Sequence, residues 1–194
     1  MRYSREHSEA TRKRILGAAA RLFREGGLDG TGMDAIAAAA GVTSGAIYRS
    51  FGSKDRLFEA VVQDGVERLA GGIGRLRQAA PSAWPEALTG WYLGAQHVAA
   101  PGQGCLLPSL TQDIARGPAP ARQRFEDGLR QAARAAAIPP QPAPGPGAAV
   151  PPSGWATLAM LAGAVLLARA VGPGETQSEI LAAAAAALAA GGEG

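Results

Sequence analysis

An all-α fold is predicted by three observations. Alanine is abundant and aromatics make up only 5% of the chain, so the core must be helical, with small-residue contacts. Apolar residues recur three and four positions apart in one segment after another. No run alternates apolar and polar residues as a half-buried strand does. The chain has 194 residues, enough to bury a real core and to divide into a small domain and a medium one.

Thr11 to Glu25 places Ile15, Leu16, Ala19, Leu22 and Phe23 on one stripe, which predicts the first helix. Gly26-Gly27 should stop it, with Leu28 packing into the same core. Thr31-Gly-Met-Asp34 fits a capping box, Thr31 being the N-cap. The helix Met33–Ala40 would bury Ile36, Ala37 and Ala40. Gly41 follows, where a sharp turn needs positive φ. Thr43 can cap a short helix from about Ser44 to Ser50, burying Ile47 and Phe51. Ser53 caps a long one, with Asp55 in its first turn and Leu57, Phe58, Val61, Val62, Leu69, Ile73 and Leu76 in register. Gly65, Gly71, Gly72 and Gly74 weaken its later turns. A fifth helix is expected from about Pro85 to Ala99, then a turn at 101–104, then helices over Cys105–Ala115 and Pro118–Ala137. Residues 138–154, "IPPQPAPGPGAAVPPSG", form a proline-rich loop. Trp155–Val171 is the next helix. The last should open on a second capping box, Thr176 to Glu179, and end before Gly191-Gly192.

A short apolar helix, a glycine turn and a short helix with a polar outer face make a helix-turn-helix. Ala37 and Ala40 let the two helices cross closely, and Val42 plugs the turn. The outer face of the second helix offers Thr43, Ser44, Gly45, Tyr48 and Arg49 to a major groove. Gly45 has no side chain to hold bases at a distance. Tyr48 can reach a phosphate through its hydroxyl. Lys54 opens the following helix, where backbone N–H groups and an ammonium together make an anion site. Charge agrees. Residues 1–56 hold ten Lys/Arg against six Asp/Glu, and residues 57–194 hold nine against ten. The basic excess is at the N-terminal end, as for a nucleic-acid partner.

The stretch "TGMDAIAAAAGVTSGAIYRSFGSKDRLF", Thr31 to Phe58, resembles the DNA-binding signature of the TetR family of bacterial transcriptional regulators. The Ile-Ala…Ala-Gly-Val, the Tyr-x-x-Phe and the Ser-Lys-x-x-Leu stand in register, and the stretch from Ile15 is similar to that family's first helix. The resemblance implies an N-terminal three-helix domain over residues 1–56, joined to a helical ligand-binding and dimerisation domain over 57–194. It also implies that Thr31, Thr43, Ser44, Gly45, Ala46, Tyr48, Arg49 and Lys54 fall where family members touch DNA. Gly32 departs from the pattern, since the family commonly has a hydroxyl there. The family's last two helices make a homodimer, and two reading heads related by a two-fold axis prefer a palindromic operator.

The C-terminal half carries its own signals. "WATLAMLAGAVLLARAV" and "ILAAAAAALAA" are apolar nearly all round, so each is buried on more than one face. A membrane span is one reading, although Arg169 and the alanine richness oppose it. A two-chain, four-helix interface is the other, and it is favoured. Trp84, Trp91, Tyr92, Gln96, His97, Cys105, Phe125, Trp155 and Met160 are candidates to line a small-molecule pocket, or else are plain core. The aromatics among them predict an apolar effector. Cys105 should open a helix, where the dipole favours thiolate. It is either a redox or electrophile sensor, as in some family members, or a packed residue. His97 has no second ligand at metal-binding spacing, and no catalytic set or phosphate loop is present, so no enzyme, metal or cofactor is expected. One cysteine and no apolar stretch after the N-terminal charges suggest a cytoplasmic protein. The expected function is a regulator of transcription, a repressor released by a small ligand. Its rivals are a ligand-independent architectural protein or activator of the same fold, and a membrane-associated protein.

Overall fold

A computed structural model describes residues 2–138 and 150–190, with side chains from residue 6 onward. Ten helices are present among them: α1 (Arg2–Gly30), α2 (Met33–Ala40), α3 (Ser44–Phe51), α4 (Lys54–Ala79), α5 (Trp84–Tyr92), α6 (Ala95–Val98), α7 (Leu107–Arg116), α8 (Ala119–Ala135), α9 (Pro152–Val171) and α10 (Glu175–Ala190). The described residues contain no strand.

The first three helices pack around Ile15, Ala19, Phe23, Ile36, Ile47 and Phe51, all buried. Phe23 meets Phe58 of α4 edge to face at 5.4 Å, which joins this small core to the larger one. The helical run of α1 does not stop at Gly26-Gly27. It kinks at Gly27, whose φ of 73° is left-handed, and continues to Gly30. Across the kink, the Leu28 N–H donates to Asp113 Oδ1 of α7 at 2.9 Å. Leu28 packs against the core, as its position after the glycines suggests.

The long helix α4 runs unbroken to Ala79. Two of its glycines make close approaches instead of weakening it. A Cβ at Gly65 would stand 3.1 Å from Leu106, and one at Gly72 would stand 3.0 Å from Trp91. The body then builds outward: α8 lies along α4, α9 packs on α8, and α10 packs on α9 and α5.

Several expected boundaries move. The segment 85–99 is two helices, because Gly94 is extended (φ −69°, ψ 166°) and a Cβ there would press on the Gly90 carbonyl at 2.9 Å. The helix expected from Cys105 starts at Leu107, with Pro108 in its first turn, where a missing N–H costs nothing. Pro152 does the same for α9, so residues 152–154 are helical and not loop; of the expected proline-rich loop, 139–149 lie outside the described residues. Helix α10 starts at Glu175, which puts Thr176 inside the helix and not at its cap.

Candidate functional site

Two sites emerge, one a helix face and one a half-open cavity. The surface site is the face of α3. Gly41 leaves α2 in the left-handed region (φ 63°, ψ 44°) and its N–H closes onto Ala37 and Ala38; a side chain would be strained there. Thr43 caps α3 by accepting the Ala46 N–H at 3.3 Å. Ile47 and Phe51 point inward. Arg12 of α1 braces the far end, donating to the Ser50 carbonyl at 2.6 Å with its guanidinium 4.0 Å over the Phe51 ring.

That leaves Thr43, Gly45, Tyr48 and Arg49 exposed, with Ser44 and Ala46 half-buried beside them. Tyr48 is 51% exposed although it is a large aromatic. Ser44 donates to Asp34 of α2 at 2.5 Å, tying the two helices together across the turn. Ser53 caps α4 through the Arg56 N–H at 3.2 Å, and Lys54 follows at the first position of that helix. Four of the eight expected contact residues, Thr43, Gly45, Tyr48 and Arg49, therefore stand exposed on α3 and its cap, with Ser44 and Ala46 at the margins and Lys54 flanking them.

Thr31 does not join them. It is buried, and its hydroxyl donates to Gly27 O at 2.8 Å and lies 3.2 Å from Leu22 O. The N-cap of α2 is Gly32, which has no side chain to offer. Thr31 thus closes the loop after the α1 kink and does not face outward.

The second site is a half-open cavity of about 520 Å³ between α1, α4 and the segment 96–106. Trp91, Gln96, His97 and Cys105 line it, four of the nine expected residues. The other five do not. Trp84 is buried in the core. Tyr92 is buried behind His97, stacked on its ring at 4.9 Å. Phe125 and Met160 are half-buried against the main core, and Trp155 is 37% exposed on α9. The unexpected lining is cationic: Arg21 and Arg24 from α1, Arg68 and Arg75 from α4, with Asp64 as the single acid. These cations stand beside apolar lining from Ala20, Leu69, Trp91 and Leu106. A signal was available, since Asp64, Arg68 and Arg75 lie four and seven residues apart on one helix face.

His97 is fixed on both sides. Its Nδ1 lies 3.1 Å from the Trp91 carbonyl; a carbonyl only accepts, so Nδ1 carries the proton. Burial lowers its pKa, and the imidazole is neutral at pH 7. Arg169 donates to the His97 carbonyl through Nε at 2.9 Å and again through Nη2, and to Ser109 Oγ at 2.8 Å. Cys105 departs from expectation. It precedes α7 by two residues, its Sγ accepts the Leu107 N–H at 3.4 Å, and burial pushes its thiol up, not down. Thiolate is disfavoured there.

Away from both sites, α9 shows Trp155, Leu166, Leu167 and Val171 to solvent. The neighbouring exposed positions of α10 are alanines, including Ala182, Ala183, Ala186 and Ala187. Helix α9 is also long and apolar enough to cross a membrane by length and composition, but its other face packs into the protein through Leu158, Leu161, Val165 and Ala168.

Comparison with known proteins agrees with the geometry. Residues 15–61 match the family model of bacterial regulatory proteins of the tetR family. The HTH-type transcriptional regulator AcrR of Shigella flexneri is 43% identical over 60 residues, covering 31% of this chain and 28% of that protein. An HTH-type transcriptional repressor of Mycobacterium tuberculosis is 39% identical over 67 residues, 34% of this chain and 36% of that protein. The chain thus matches about a third or less of the length of these relatives. The likeness in fold extends further. The reduced form of Escherichia coli NemR superposes with a TM-score of 0.72 at 19% identity, over 92% of this chain and 94% of that one. A TetR-family regulator of Agrobacterium tumefaciens does so at 0.70 and 20% identity, over 92% and 97%. Residues 15–61, with the α2–turn–α3 unit inside them, thus carry the DNA-binding segment of the tetR family of bacterial regulatory proteins, and the fold around that segment is similar to that of TetR-family regulators.

Proposed function

We propose that the protein is a DNA-binding regulator of transcription that acts as a homodimer and is released from its operator by a small molecule. The observation that carries the reading is the outer face of α3. Tyr48, Arg49, Thr43 and Gly45 stand in solvent on a helix whose opposite face, Ile47 and Phe51, is locked into the core. A helix held this way enters a major groove with its N-terminal residues foremost. Residues 1–56 form the reading head, and residues 57–194 form the regulatory body. Gly45, Ser44 and Ala46 let the helix approach the bases; Tyr48 and Lys54 serve the phosphates.

The exposed apolar side chains of α9 and the exposed alanines of α10 support a two-fold interface, which would set two reading heads on a palindromic site with half-sites about one helical turn apart or slightly more. The cavity of about 520 Å³ supports a ligand-controlled regulator over an architectural protein of the same fold, because its volume lies in the range of small-molecule sites.

The test is selection of bound genomic fragments with the purified protein, followed by titration of the recovered site at several salt concentrations. Palindromic sites are expected. Lys54→Ala should weaken binding to every sequence alike and reduce the salt slope by about one unit. A changed sequence preference with an intact slope would remove Lys54 from the phosphates.

A further inference from the structure

The cavity behind α1 carries charge beside its hydrocarbon. Four arginines and one aspartate stand on its wall. Two of the arginines have partners on their own helices: Arg21 with Glu25 at 3.2 Å and Arg68 with Asp64 at 2.7 Å. Arg24 has no carboxylate within ion-pair distance among the described residues. Its Nη1 reaches only carbonyls, Ala20 O at 3.2 Å and Gly102 O at 3.5 Å, and its Nε is buried with no hydrogen-bond partner. Burial disfavours its charge, Asp64 attracts it from a distance, and Arg68 more weakly repels it. A partly buried cation with no direct ion pair is costly, and a second cation on the same wall adds to that cost.

We infer that this cavity is the site of a small organic anion, its acid group held by Arg24 and Arg68 and its body lying against Trp91. The inference rests on the effector reading above and names the chemical class that reading leaves open. Guanidinium groups suit the task, since each presents planar, forked donors to an acid group. The indole of Trp91 offers an apolar face, already in edge contact with His97 at 4.9 Å. Gln96 and Gln103 add neutral hydrogen-bonding groups at the wall. The two arginines come from different helices, α1 and α4, so one acid group bound between them would draw the first helix of the reading head toward the linking helix. A neutral ligand of the same shape would not.

The probe is 1-anilinonaphthalene-8-sulfonate, compared with its uncharged relative N-phenyl-1-naphthylamine, each titrated by fluorescence into the full-length dimer. The sulfonate should bind at one site per chain, and the neutral compound at least tenfold more weakly. Arg24→Met and Arg68→Met should each weaken the sulfonate about tenfold and leave the neutral compound unchanged. The Arg68 side chain is 68% exposed, so that variant does not endanger the fold. Asp64→Asn should tighten the sulfonate, because it removes the one acid and frees Arg68; a purely structural role for these side chains predicts no gain. Equal binding of the two compounds, no saturable sulfonate site, or sulfonate binding unaltered in both arginine variants would overturn the inference. Operator anisotropy separates the two layers. Arg68-dependent binding that leaves operator bound keeps the anion site and removes the effector reading.

Discussion

Gly128 of α8 and Gly74 of α4 make a matched pair for one perturbation, replacement by alanine. Both sit in helices, so each replacement should gain the helix preference of alanine over glycine, up to about 1 kcal/mol. The surroundings differ. A Cβ at Gly128 would lie 2.1 Å from Val66 Cγ2 and 2.5 Å from Val66 Cβ, whereas one at Gly74 meets nothing within 4 Å. Val66 is 1% exposed and belongs to the core, so it has no free space into which to retreat. Relief requires α8 and α4 to move apart. Overpacking of this kind costs about 1–3 kcal/mol, and contacts this short belong at the upper end. Set against the helix gain, Gly128→Ala should destabilise by about 2 kcal/mol, lowering Tm by roughly 4–8 °C at a rate of about 2–4 °C per kcal/mol. Gly74→Ala should raise Tm by roughly 1–4 °C on the same scale. Thermal unfolding followed by circular dichroism, with both variants at one protein concentration because dimers unfold by mass action, reads the difference. Shifts of the same sign in the two variants would refute the idea that α8 is seated on α4 through the missing side chain of Gly128.

Other outcomes follow from the same geometry. Gly45→Ala should fold with unchanged or slightly higher Tm, since its Cβ meets only Thr43 Oγ1 at 3.9 Å, yet lose about tenfold in operator affinity, the worth of one base-level contact; parallel melting and gel-shift assays separate the two effects. Leu167→Asp should stay folded and become monomeric in sedimentation, because Leu167 is 57% exposed in the single chain, whereas Ala164→Asp should unfold, because Ala164 is buried there. Cys105 should react with iodoacetamide at pH 8 at least about tenfold more slowly in the native protein than in guanidinium. Burial raises its pKa, so the thiolate fraction at that pH is smaller than for an ordinary thiol. Equal rates would place Cys105 in an open, activated setting and revive the sensor reading.

The reading head was legible because its determinants are local. Gly41, the Thr43 and Ser53 caps and the inward spacing of Ile47 and Phe51 act within a few residues of one another, and each stands as the sequence implies. Thr31 misled because Gly32 cannot cap by a side chain, and the threonine hydroxyl found nearer acceptors on the kink before it. The cavity was legible only in part. Its wall is drawn from residues 17–24, 64–75 and 91–106, three segments distant in sequence, and arginines on amphipathic helices look like solvated faces until those helices are brought together. Aromatics drew attention as pocket residues for their size, but Tyr92 and Phe125 are spent on packing. Cys105 lost its place at a helix start to Pro108, which sets the first turn two residues later.

The bond from the Leu28 N–H to Asp113 gives the molecule a pin. It fastens the chain to α7 just after the left-handed kink at Gly27 and just before α2 begins. The pin adds to the Phe23–Phe58 contact that already ties the head to the body, so the head moves with α4 and α7, carrying α3 at the end of the arm. In the proposed dimer the two-fold axis would repeat each rotation in both halves, so that spacing and tilt of the paired α3 helices would change together. The operator would feel the state of the body as a single angle.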